Sequence, residues 1–239
     1  MTDSVARPER HLPANGDSAH GAKQPGPGRV ERKPNRRFEG VWRRLGYRSI
    51  AGIDEAGRGC LAGPVVAGAV ILAPNVPAGI NDSKKLSLGQ REELFSALQS
   101  SPSIMAWGLA TAQEIDQINI RQASFLAMRR AVDNLATCPD ALLVDGFLIP
   151  DCEIPQRHLV RGDSRSLSIA AASIVAKVVR DRMMVELSEV NPGYGFEVHK
   201  GYPTESHRLA LDRLGPIRSH RRTFAPVREW FERNHPGIY

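Results

Sequence analysis

The sequence predicts an α/β domain: a central mixed β-sheet flanked by helices, with a small helical extension at its C-terminal end. Three observations carry this. Short apolar runs alternate with longer segments whose apolar residues recur at helical spacing. Residues 64–72 (PVVAGAVIL) are almost wholly apolar, as a strand buried on both faces should be. Strands precede helices, and three strand ends carry a carboxylate or lead into one.

The elements follow in order. Structure is expected from about Phe38. Residues 48–54 read as a first strand and residues 64–72 as a second. Asp82-Ser83-Lys84-Lys85-Leu86 is a polar loop leading into a short helix over residues 88–99. Residues 104–111 read as a third strand. Ile118, Phe125, Leu126, Met128, Val132 and Leu135 place a long helix over residues 119–135. Residues 142–146 and 157–160 are two further short strands. Residues 166–190 give a long helix that opens on small side chains, Ala170-Ala171-Ala172-Ser173, which permit close packing on a sheet. Residues 204–214 form a last helix, followed by the cluster His220-Arg221-Arg222.

Composition bounds the rest. The chain has 239 residues, enough to bury a substantial core. Residues 1–37 hold five prolines, four glycines and no aromatic residue, so they read as a disordered basic tail before a domain of residues 38–239. That tail carries eight Lys/Arg against four Asp/Glu, and therefore +4 of the net charge of +6. Its last residues, Arg32 to Arg37, are a candidate contact to nucleic acid, with a solvated arm as the alternative. Cys60, Cys138 and Cys152 are too few and too scattered for a disulfide framework or a zinc site, and fit a reducing cytoplasm. The N-terminal residues lack a secretory apolar core, and no apolar run is long enough to span a bilayer.

The chemistry lies in Ile53-Asp54-Glu55-Ala56-Gly57-Arg58-Gly59. Two carboxylates end an apolar run, and an arginine between two glycines follows. Asp145 and Asp163 also stand at or just past strand ends. Four converging carboxylates would repel one another and resist ionisation unless a cation removes the conflict. An all-oxygen set suits Mg²⁺ or Mn²⁺. Neighbours on a regular strand face opposite ways, so Asp54 and Glu55 share one site only if the chain ends or twists between them.

These segments, in this order, resemble ribonuclease HII, the type 2 ribonuclease H of bacteria. The resemblance runs through Gly52 to Gly59, Asn81 to Ser87, Val144-Asp145-Gly146, Gly162-Asp163-Ser164 with Ile169 to Val178, Tyr194-Gly195-Phe196, His199 to Thr204, and His220 to Phe224. It implies a ribonuclease H-like fold and a metal-dependent endonuclease. The substrates it implies are RNA–DNA hybrids and duplex DNA with embedded ribonucleotides, nicked on the 5′ side to leave a 3′-hydroxyl and a 5′-phosphate. Asp54, Glu55, Asp145 and Asp163 are then the catalytic and metal-binding carboxylates, with Mn²⁺ or Mg²⁺ as cofactor. Gly57, Arg58 and Gly59 would contact the ribonucleotide, and Tyr202 would pack on the adjacent deoxyribose. Lys84, Lys85 and Lys200 are phosphate contacts in this reading. Cys60 departs from the family pattern, where proline is common. A monomer is the default.

Other chemistries fit less well. The spacing of Gly57, Gly59 and Gly63 is wrong for a dinucleotide fingerprint, and no Gly-Lys-Ser/Thr follows a glycine-rich loop. Ser164 and Ser173 lack a Gly-x-Ser-x-Gly context, and Ser173 reads as packing. His199 and His207 lack partners for zinc. A non-catalytic hybrid-binding module stays open as a second function class, and a nuclease for other substrates as a third.

Overall fold

The computed structural model describes residues 33–235. Its elements are α1 (Arg37–Arg44), β1 (Ile50–Ala56), β2 (Val65–Ile71), α2 (Leu88–Gln99), β3 (Ile104–Ala110), α3 (Ala112–Asp133), β4 (Ala141–Asp145), β5 (Gln156–Leu159), α4 (Leu167–Val190), α5 (Phe196–His199), α6 (Glu205–Leu214) and α7 (Ala225–Asn234). The sheet order is β3-β2-β1-β4-β5. β1 pairs antiparallel with β2 and parallel with β4, so the sheet is mixed. That order puts the C-terminal ends of β1 and β4 side by side.

Both faces of the sheet are covered. Ala51, Ile53, Val65, Ala67 and Ala69 face α3, where Phe125 and Met128 pack on them. Val66 and Val70 face α4 and α2, against Ala170, Ala171, Ile174 and Phe95. Burying a side chain such as Ile53 contributes about 1.5–3 kcal/mol. α4 lies unusually close to the sheet. A Cβ on Gly52 would stand 2.1 Å from the Ser168 carbonyl carbon, and one on Gly68 2.4 Å from the Ala172 oxygen. The small-residue opening of α4 is what lets the backbones approach.

The helix starts carry their own signals. Ser87 with Gln90 forms a capping box on α2, and Thr111 with Glu114 forms one on α3. The second starts α3 at Ala112, seven residues before the helix expected over residues 119–135. α3 is broken at Asn119 (φ 64°, ψ 163°). Asn119 Oδ1 accepts the amides of Arg121 (3.0 Å) and Gln122 (3.2 Å), so the asparagine caps the second half. The break obscures a single helical period. The expected strand ending at Asp54 runs on to Ala56.

Residues 33–37, assigned to the tail by composition, belong to the described body. Pro34 is buried, Asn35 bridges to Ser166, and the Arg36 guanidinium donates to the Ala73 carbonyl. Buried Glu39 of α1 then accepts from Ser166 Oγ (2.7 Å) and Ser168 N (2.9 Å) at the start of α4. The remainder of the expected tail, residues 1–32, lies outside the described residues. Among the described residues no helix is long and apolar enough to cross a membrane.

Candidate active site

Asp54 and Glu55 are consecutive residues inside β1, and they point to opposite faces as a regular strand requires. Asp54 pairs with Gly68 on the α4 face, while Glu55 pairs with Ala67 on the α3 face. The strand neither ends nor turns between them. Both stand near the point where β4 ends on Asp145 and where a single turn of 3-10 helix, Gly162–Ser164, presents Asp163. Asp54 and Asp163 are each 5% exposed.

The electrostatics show four acids crowded together. Burial, then Glu55, Asp145 and Asp163, push the Asp54 carboxyl well above its ordinary range. Burial raises Glu55 as well, against the nearby Arg58, and Asp145 adds to the rise. Burial also raises Asp145, opposed by the Gly162 amide and reinforced by Asp163. Fixed donors hold the acids apart. Asp54 Oδ1 accepts the Glu55 amide (2.8 Å), Asp145 Oδ1 the Gly162 amide (2.6 Å), and Asp163 Oδ1 the Ser164 amide (2.9 Å). As the side chains stand, no three His, Cys, Asp or Glu among the described residues close on one ion.

Cations border the cluster. Lys84 Nζ lies 3.3 Å from Asp163 Oδ2. Burial depresses the Lys84 ammonium, but Asp163 and Asp54 outweigh it and the net shift is upward. The loop bearing Lys84 is pinned to α4 by Ser83 Oγ and Ser173 Oγ at 2.6 Å, which gives Ser173 the packing role expected of it. Arg58 Nη1 bonds Glu55 Oε1 at 3.1 Å. Lys85 sits at the end of the same loop as Lys84, its amide on the Asp82 carbonyl. Lys200 is in the left-handed region (φ 51°), and its ammonium donates to the Glu197 carbonyl.

The Gly57-Arg58-Gly59 turn follows β1 directly. Gly57 has φ +94°, which requires glycine, while a Cβ on Gly59 would meet nothing within 4 Å. Behind the turn lie two fully buried arginines, Arg180 of α4 and Arg221. Arg221 donates to the carbonyls of Gly57 (2.7 Å), Arg58 (2.9 Å) and Gly63 (2.9 Å). Burial pushes its guanidinium down to about 10. Arg180 donates to Pro64 (3.0 Å), Lys200 (2.9 Å) and Ala62 (3.2 Å). The sequence reading missed both roles. The available signal was an arginine in the otherwise apolar face of a helix that must pack on a sheet.

Tyr202 stands beside this turn, 39% exposed, with Lys177 Nζ 5.5 Å and the Arg180 guanidinium 5.9 Å from its ring centre. Three histidines support it. Ile217 N–H donates to His220 Nδ1 (3.0 Å), which leaves the Nε2 proton of His220 for His207 Nε2 (3.1 Å). His207 Nδ1 then donates to the Tyr202 carbonyl (2.9 Å). His199 stacks on His207 at 4.4 Å. Burial pushes His207 down to about 4 and His220 down to about 3. His199 and His207 are thus structural, and the third member, His220, comes from the basic cluster.

Comparisons with known proteins show the family and the fold. The family model for Ribonuclease HII matches residues 51–227. Ribonuclease HII from Syntrophotalea carbinolica is 56% identical over 81% of this chain and 93% of its own. Ribonuclease HII from Nitrosococcus oceani is 53% identical over 79% and 94%. The crystal structure of ribonuclease H2 from Pyrococcus horikoshii OT3 superposes with a TM-score of 0.67 at 29% identity, covering 78% of this chain and 98% of that one. The chain belongs to the ribonuclease HII family and is a nuclease that hydrolyses RNA in RNA–DNA hybrids.

Proposed function

We propose that the chain also nicks duplex DNA immediately 5′ of an embedded ribonucleotide, leaving a 3′-hydroxyl and a 5′-phosphate. The observation that carries this is the placement of the Gly57-Arg58-Gly59 turn directly after Asp54 and Glu55, with Arg58 bonded to Glu55 and Tyr202 on the other side of the turn. The turn brings backbone close to a ligand, next to a cation. A 2′-hydroxyl is what separates RNA from DNA at one position, and a close backbone with a neighbouring aromatic ring is suited to reading it.

Asp54, Glu55, Asp145 and Asp163 would hold divalent cations, Mg²⁺ or Mn²⁺. The donor set fits. All the donors are carboxylate oxygens, and burial, with the neighbouring acids adding to it, raises Asp54 and Asp145, a conflict that a bound cation would relieve. When bound, such ions activate water and stabilise the leaving oxygen of a phosphodiester. The remaining work falls to the protein. Arg58 and Lys84 balance the acids and supply positive charge for the scissile phosphate. Lys85 and Lys200 would extend that field along the backbone. Tyr202 would stack on the deoxyribose next to the ribonucleotide.

A labelled DNA duplex with one ribonucleotide, incubated with Mg²⁺, Mn²⁺ or EDTA, tests this directly. A cation-dependent cut on the 5′ side, absent from all-DNA duplex, is the expected result. Cleavage of long hybrids with no cut at the single ribonucleotide would overturn the proposal and leave a hybrid-only nuclease.

A further inference from the structure

Arg180 and Arg221 carry full positive charges into the interior, yet the hydrogen bonds described above all end on backbone carbonyls. The buried carboxylate next to Arg180, Asp181, pairs instead with Lys177 at 2.8 Å. Buried cations bonded to carbonyl dipoles, with the Tyr202 ring 5.9 Å from Arg180 and the Phe224 ring 5.1 Å from Arg221, are costly, and general packing does not require two of them. Their placement offers a reason.

The carbonyls that Arg221 holds belong to Gly57 and Arg58. In a trans peptide the C=O and the following N–H point in opposite directions. Drawing these two carbonyls inward therefore turns the amides of Arg58 and Gly59 outward, on the exposed side of the turn. Successive amides facing one way form a concavity for an anion or a hydroxyl. Arg180 performs the second task. It bonds Pro64 and Ala62 on one loop and Lys200 on the other. Leu61 N also donates to the Gly201 carbonyl at 2.8 Å. The guanidinium, against which Gly57 also packs, thus ties the stretch that follows the turn to the Tyr202 loop.

We propose that Arg221 and Arg180 are positioning residues for ribonucleotide recognition. Arg221 orients the amides of the Gly57–Gly59 turn, and Arg180 sets the spacing between that turn and Tyr202. The proposal rests on the junction-reading role given to these two elements above. A fork of five donors does this, and the point charge of lysine does not.

The test compares kcat and KM for the wild-type chain, Arg221→Lys and Arg180→Lys on two substrates: a DNA duplex with one ribonucleotide and a continuous RNA–DNA hybrid. Both variants keep the charge. A misplaced recognition element should lower kcat/KM on the single-ribonucleotide duplex by about 10- to 100-fold more than on the hybrid. Equal losses on both substrates, or none, would overturn the proposal. A wild-type chain that fails to cut at single ribonucleotides would instead remove the reading on which it rests. A second measurement needs no variant. With EDTA present, the guanidinium Nε–H resonances of Arg180 and Arg221 in the wild-type protein should shift on binding the single-ribonucleotide duplex and stay in place with all-DNA duplex. Identical responses to both duplexes would again overturn it.

Discussion

Gly57 lies against the guanidinium of Arg180, so closely that a Cβ there would stand 2.0 Å from Nε. The next glycine, Gly59, faces open space. The two glycines of one motif are therefore required for different reasons. Gly57→Ala should cost more than about 1–2 kcal/mol, since the left-handed backbone and the displaced arginine add up. Gly59→Ala should leave the melting temperature within a few degrees and still weaken cleavage, because its open side is where the proposed reading puts the ribonucleotide. Thermal melts paired with hybrid cleavage check both. A Gly59→Ala protein with unchanged kcat/KM would show that nothing approaches that position.

Removing one of the crowded acids should help the fold and end the chemistry. Asp54 is held above its usual range, so its contribution to stability is present at low pH and lost as pH rises through its folded value. Asp54→Asn should melt higher than wild type in EDTA at about pH 8, and the gain should vanish near the ordinary Asp range. Cleavage should be abolished with hybrid binding largely retained. Full activity in this variant would refute the carboxylate assignment.

Cation demand should depend on pH in a defined direction. Asp54, Glu55 and Asp145 all titrate above their ordinary values, so protons compete with the cation over a wider range than at an isolated carboxylate. The Mn²⁺ or Mg²⁺ concentration for half-maximal cleavage should rise steadily from about pH 8 to about pH 5. A flat dependence over that interval would show that the acids do not bind the ion together.

The histidines predict the opposite trend in stability. His207 and His220 fall from 6.5 to about 4 and about 3 on folding, so the stability they contribute is present above pH 6.5 and lost as pH drops through the folded values. Melting temperature in EDTA should decline below pH 6.5. His220→Gln should lower the melting temperature at neutral pH and flatten that decline. An unchanged slope would place the acid sensitivity elsewhere.

Much of the site was legible in one dimension. Asp54, Asp145 and Asp163 each end or follow a short apolar run, and such runs become strands whose ends meet at one edge of a sheet. The alanine opening of α4 announced a close approach to that sheet, which Gly52 and Gly68 complete. Less visible was the start of α3, where Thr111 and Glu114 signalled a helix but Asn119 interrupted its period. The opposed directions of Asp54 and Glu55 follow from strand geometry. The strand shows no end or twist between them, and β4 and the Gly162–Ser164 turn bring Asp145 and Asp163 near the same strand end.

By itself the sequence determined the element types, the family and the residues able to bind a hard cation, because these depend on local periodicity and on side-chain chemistry. Only the tertiary structure decided that Arg180 and Arg221, 41 positions apart, lie together behind one turn and bond the carbonyls in and around it, and that His220 and His207 form a hydrogen-bonded chain to Tyr202 with His199 stacked on it. A buried charge or imidazole is defined by the partners that packing brings to it, and those partners are remote in the chain. Sequence spacing therefore carries no record of them.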